Sequence, residues 1–211
     1  MKEFDFESLR AGENAQNMLT ELEWDDELGG VSFRDETVHG IKRQNISVRT
    51  VVFERCVFTD CSFCRCRFDR VLFLNCDLSN VNFTECSFHK VEWVDCKLLG
   101  ADFAEGNFFT VKFSESNCQY MNISAVKLRD TDFEKCNLES AEFVNCKFFS
   151  VSFFECALSQ TEFAHTSLKN VDLRSCVIRG MRTGISELKG AVVTSSQIFE
   201  LSHLLGVVVK N

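Results

Sequence analysis

Proline is absent from this 211-residue chain, tyrosine occurs once beside 22 phenylalanines, and histidine appears only four times. No apolar run approaches 18 residues, so no membrane-crossing helix is expected. The opening MKEFDFESLRAGENAQ is acidic and lacks an apolar h-region, so no secretory signal is expected either. Twelve cysteines in such a chain read as reduced thiols, and the expected location is the cytoplasm. Net charge is also missing from most of the molecule. Residues 1–30 carry nine acids and two bases, and the other 181 carry 22 acids and 21 bases. A body so nearly neutral makes duplex DNA no obvious ligand. Catalysis needs a convergent acid, base or nucleophile. The four histidines, His39, His89, His165 and His203, are scattered in phase with no obvious carboxylate partner, so an enzyme is not expected. Nothing in the sequence calls for a cofactor or a metal.

What is present is order. Hydrophobic residues make up 45% of the chain, which excludes disorder. Written in fives from Val51, the sequence reads VVFER CVFTD CSFCR CRFDR VLFLN CDLSN VNFTE CSFHK. Between residues 53 and 178 the third place of a block recurs 26 times: fifteen Phe, seven Leu, two Ile, one Trp, and Cys118 as the single exception. Two residues earlier stand ten Cys, eight Val, three Thr and five other small or apolar residues. Neither place ever carries a charge. A period of five fits neither a helix nor an ordinary strand. It demands a backbone that turns every five residues, with both of these side chains directed inward.

This pattern resembles the pentapeptide-repeat family, with consensus A(D/N)LXX, over roughly residues 31–198. The resemblance implies an all-β solenoid, a right-handed quadrilateral β-helix in which four blocks make a twenty-residue coil. The sequence supports that coil by itself. Phe53, Phe73, Trp93, Phe113, Phe133 and Phe153 fall in one column at twenty-residue spacing, and Leu78, Leu98, Leu138 and Leu158 fall in another. Matched columns are what a close-packed interior selects. About eight coils are expected over residues 31–193. An acidic segment, residues 1–30, precedes them, and residues 194–211 form a C-terminal helix and short strand.

The run Cys56–Phe68, CVFTDCSFCRCRF, looks like metal chemistry, with a CxxC at Cys61 and Cys64. Ten of the twelve cysteines, however, occupy the small inward place, and Cys64 occupies an outward one. A zinc site needs ligands converging on one point. The cysteines are therefore expected to be packing.

Solenoids need caps. Ala11, Ala15, Met18 and Leu22 have helical spacing, so residues 8–23 read as a covering helix, with an acidic tail as the alternative. Blocks 31–45 (VSFRD ETVHG IKRQN) fit the repeat poorly, so the first coil is expected to be irregular. At the other end Thr194 and Gln197 match a capping box, and Gly206 suits a helix C-cap. Ile198, Leu201, Leu204, Leu205, Val207, Val208 and Val209 form an apolar stripe. That stripe either folds back over the last coil or joins two copies, and the dimer is the favoured reading.

The tail Gln-x3-Leu-x3-Leu-Gly, followed by β-branched residues, is similar to the quinolone-resistance (Qnr) branch of the family. That resemblance implies a homodimer, mimicry of B-form DNA, and binding to DNA gyrase or topoisomerase IV with protection from quinolones, without direct nucleic-acid or membrane contact. Many Qnr proteins carry loops that interrupt the repeat, whereas here the register runs unbroken. Eight coils at ~4.8 Å span ~38 Å, and two copies match a duplex of about twenty base pairs at ~3.4 Å each. One face carries Glu85, Asp102, Glu105, Glu142 and Glu162, with no Lys or Arg in its blocks between 81 and 165. This is the expected partner-binding face. A neighbouring face is basic, and on it Phe109 and Phe149 flank Arg129, with His89 and Lys169 continuing the column. That second feature suits the alternative, a scaffold for a different protein.

Overall fold

The computed structural model describes residues 9–206, except for the side chains of His203 and Leu205. The chain is a right-handed quadrilateral β-helix of about seven turns. Its corners explain the period of five. From Asp25 to Asn170 every fifth residue has a positive φ of 50° to 70°, and only Gly30, Gly40 and Gly100 among them are glycine. A left-handed corner costs an L-residue roughly 1–2 kcal/mol. The cost is offset because each coil lays its backbone hydrogen bonds on the next. The corner pattern starts at residue 25, so blocks 31–45 belong to a regular first coil. This corrects the irregular coil expected from their composition.

We number the faces from the blocks 51–55, 56–60, 61–65 and 66–70, each recurring every twenty residues. The fourth and first faces merge into continuous eight-residue parallel strands: Glu27–Arg34, Ser47–Glu54, Arg67–Leu74, Ser87–Val94, Asn107–Ser114, Lys127–Glu134 and Lys147–Phe154. Their register places Phe53 opposite Phe73, Trp93 opposite Phe113 and Phe133 opposite Phe153. The second and third faces turn more tightly. There an Asn or Asp often precedes the large residue and accepts from the backbone N–H two positions on, as Asp77 does from Ser79 (3.1 Å) and Asn122 from Ser124 (3.0 Å). Such side chains mimic a backbone turn. On the other two faces the same place holds serine, lysine and other residues, and the strand stays continuous even at Asn107 and Asp132.

Inside, the aromatic column is continuous. Phe53 to Phe73, Trp93 to Phe113 and Phe113 to Phe133 stack at 5.2, 4.5 and 4.8 Å, within 12° of parallel. Phe33 extends it one coil beyond the expected column, 5.4 Å from Phe53. The small inward place does more than save space. The Cys76 thiol donates to the Phe53 carbonyl at 3.2 Å and Cys96 to Phe73 at 3.4 Å, and Thr161 donates to Leu138 at 2.8 Å. Each bond spans 23 residues, one coil and three positions. Cysteine, threonine and serine thus serve as buried donors as well as packing. Cys61 points inward in this way, while Cys64 lies outside beside the Thr84 hydroxyl at 3.2 Å.

Each end is closed by a polar side chain. Helix α1 (Ala15–Glu21) is shorter than the expected 8–23, because Arg10–Ala11 pair as a strand with Val31–Ser32. Asn14 caps α1, and Ala15 and Leu19 bury against the first coil. Arg43 occupies a large inward place and donates to the carbonyls of Leu19 and Thr20, the end of α1. Near the C-terminus block 186–190 yields to a one-turn helix, α2 (Ile185–Leu188), followed by α3 (Ser195–Leu201) and a 3-10 turn over Ser202–Leu205. The Thr194–Gln197 capping box forms as expected. Gln197 then donates its buried amide to the carbonyls of Leu173 (2.7 Å) and Cys176 (2.9 Å), groups that a further coil would otherwise satisfy.

Candidate partner-binding faces

The third face brings its expected residues into two rows. Asp102, Glu142 and Glu162 stand in one ladder, Ser62–Asn82–Asp102–Asn122–Glu142–Glu162–Arg182. Glu85 and Glu105 occupy the adjacent corner row, with φ of 59° and 61°. Their neighbours set how free they are. Arg65 donates twice to Glu85, at 2.9 and 3.0 Å, and holds its carboxyl below the ordinary value. Arg182 lies 3.1 Å from Glu162. The acidic run is therefore bracketed by guanidinium groups, which corrects the picture of a face untouched by base. Asp102, Glu105 and Glu142 form no ion pair among the described residues. Asp102 also has a local task, accepting from the Ala104 N–H and the Asn122 amide, both at 3.0 Å. The two arginines were legible in principle, since each lies twenty residues from the acid it meets.

The first face, opposite, mixes signs. Lys112 meets Glu134 at 2.7 Å and Arg174 meets Asp172 at 2.7 Å, which takes the Asp172 carboxyl down to about 2. On the fourth face His89 does have a carboxylate partner, Asp69, at 2.7 Å, contrary to expectation. Asp69 is shared with Arg70 at 2.9 Å and Arg49 at 3.4 Å. No other side chain among the described residues is hydrogen-bonded to that imidazole. The pair lines a shallow concavity on the strand surface together with Ser47 and Ser87.

The expected dimer residues divide. Ile198 is 56% exposed, and its neighbour Phe199, which the sequence reading passed over, is 71% exposed. Leu201 instead packs against the chain's own core, so it belongs to the cap and not to a free stripe. Leu204 is half-buried in the 3-10 turn. Of Leu205 only the backbone is described, and Val207, Val208 and Val209 lie outside the described residues.

The described residues form a filled solenoid with charged flat sides and capped ends. The profile described as "Pentapeptide repeat region" matches residues 46–123 and 126–202, and the chain belongs to the pentapeptide-repeat family. No curated protein matches it significantly. Among solved structures, a trypsin-treated variant of QnrB1, a plasmid-mediated fluoroquinolone resistance protein, is 20% identical, with 88% of this chain and 95% of that chain covered at a TM-score of 0.47. HetL from the cyanobacterium Nostoc sp. strain PCC 7120, a pentapeptide repeat protein involved in heterocyst differentiation regulation, is 12% identical, covers 87% and 98%, and scores 0.28. A pentapeptide repeat protein of the Arabidopsis thaliana thylakoid lumen is 14% identical, covers 72% and 74%, and scores 0.24.

Proposed function

We infer that this protein binds a type II topoisomerase, DNA gyrase or topoisomerase IV, in place of a duplex and shields it from quinolones. The observation that carries this reading is the third face, where carboxylates and amides occupy successive coils from residue 81 to 165 with no base among them. A rigid rod with aligned acids presents to a basic groove what a phosphate strand presents. Catalysis has no part in this reading, and neither does a cofactor. The working form is a homodimer joined at the C-terminal end, acting in the cytoplasm. Steering by aligned charge makes the association salt-sensitive.

The decisive variant changes Asp102→Asn, Glu105→Gln, Glu142→Gln and Glu162→Gln together. Asparagine at 102 keeps the turn that the aspartate makes, and exposed charges contribute little to folding. The melting temperature should hold while affinity for purified gyrase falls about tenfold or more. An equal number of changes on the fourth face is the control. Unchanged affinity at both low and moderate salt would reject the third face as the duplex surrogate.

A further inference from the structure

The fourth face carries a feature that the topoisomerase reading does not use. In its upper part Asp69 gathers Arg49, Arg70 and His89, while Arg67 has no ion pair among the described residues. From Asn107 onward the pattern changes. Lys127 lies directly opposite Lys147 in the parallel register, and Phe109, Arg129 and Phe149 follow one another in the next outward row. Stacked like charges destabilise a sheet. Neither lysine nor Arg129 has an ion-pair partner among the described residues. Some bases elsewhere on the rod meet acids twenty residues away, as Arg55 meets Asp35 at 2.6 Å and Arg65 meets Glu85. Phe109 and Phe149 stay 42% and 48% exposed in the same patch. Two exposed rings therefore lie beside a pair of stacked lysines that no acid relieves.

The orientation of the rings identifies what the patch accepts. His89 stacks on Phe109 at 5.3 Å and 24°, and the Arg129 guanidinium carbon sits 5.4 Å from the centre of the Phe149 ring. The ring faces are thus turned toward neighbouring coils, and their edges face outward. Binding of single-stranded nucleic acid uses open ring faces as stacking platforms, and one face of each ring is already taken by a neighbour in the chain. A ring edge is the positive end of the aromatic quadrupole. Edge and ammonium together favour carboxylates with an apolar side chain between them. We propose that the Phe109–Arg129–Phe149 row and the Lys127–Lys147 pair form a docking surface for an acidic, leucine- or phenylalanine-bearing segment of a partner protein. The surface is separate from the third face and does not depend on the topoisomerase reading.

The test uses the full chain and a short fluorescein-labelled peptide of repeating Glu-Glu-Leu, followed by anisotropy. Controls are the same peptide with Gln for Glu and an oligothymidine of equal length. The wild type should bind the acidic peptide, and the other two about tenfold more weakly or not at all. Lys147→Glu gives Lys127 an opposite neighbour, so it should leave the melting temperature unchanged or higher while abolishing peptide binding. Phe109→Ser with Phe149→Ser should weaken binding at high as well as low salt. The proposal fails if the acidic peptide does not bind, if the Gln peptide or the oligothymidine binds as well, or if Lys147→Glu binds like wild type. It also fails if Lys147→Glu dissolves a self-association of the wild type, since the occupant is then a second copy.

Discussion

At the small inward place a thiol or hydroxyl reaches a carbonyl one coil below, and this bond ties each residue to the stability of its neighbours. Burial and mutual contact hold several of these thiols in the protonated form. Cys136 is pushed up to about 12 by contact with the Cys118 thiol, Cys156 to about 12 by contact with Cys136, and Cys146 to about 11 by burial. Their ordinary value is 9.0. Between these limits the unfolded chain has released protons that the native chain still holds. Stability therefore falls as pH rises, because the unfolded state binds fewer protons. The melting temperature should be level up to about pH 9 and then decline towards about pH 12. Replacing Cys136, Cys146 and Cys156 together with Thr keeps a donor in place and should flatten that decline. A slope identical to wild type would show that the thiols do not control it. The inward placement was legible in the five-residue register, but the hydrogen bond was not, because its acceptor lies 23 positions away.

At the scale of the element, the ends are built differently from the middle. Gln197 is buried and donates to carbonyls that a further coil would otherwise meet, and the half-buried Arg43 donates to the carbonyls at the end of α1. A buried acceptor left without its donor costs about 1–3 kcal/mol. Gln197→Leu should therefore loosen the last coil, and Arg43→Leu should loosen α1. In a solenoid each repeat contacts only its neighbours, so the damage should stay at the end where it is made. Hydrogen exchange is the measurement. Faster exchange near residues 173–201 in the first variant and 15–22 in the second is expected, with amides around residue 113 unchanged. Uniform acceleration along the rod would contradict the capping role. The expected helix over 8–23 shrank to α1 for a related reason, since Arg10–Ala11 found an open strand edge at Val31.

For the whole molecule, about seven turns at ~4.8 Å make a rod of roughly 34 Å. Two rods joined end to end would present a continuous set of faces. Ile198 and Phe199 are the apolar residues left uncovered on α3, while Leu201 is occupied with the cap. Ile198→Glu with Phe199→Glu should convert a dimer into a folded monomer, because neither side chain is part of the chain's own core. Light scattering decides the matter. A wild-type monomer, or a double variant that stays dimeric, removes the C-terminal interface. Charge is likewise a property of the whole rod. The net charge of the body is close to zero, yet the third face is acidic and the fourth basic, because residues twenty apart share a side.

The coil, its columns and the assignment of each residue to a face can all be read from the amino-acid order. Those follow from a constraint that every five-residue block repeats, so one register fixes the whole rod. How the rod ends and which charges remain free emerge when the coils are stacked. Arg43 reads as a defect in the repeat until α1 lies over it, and Glu85 reads as a free acid until Arg65 stacks beside it. A periodic pattern specifies only what is the same in every coil. The caps and the cross-coil ion pairs depend on which segments meet at one particular place, and the distance between their side chains settles it.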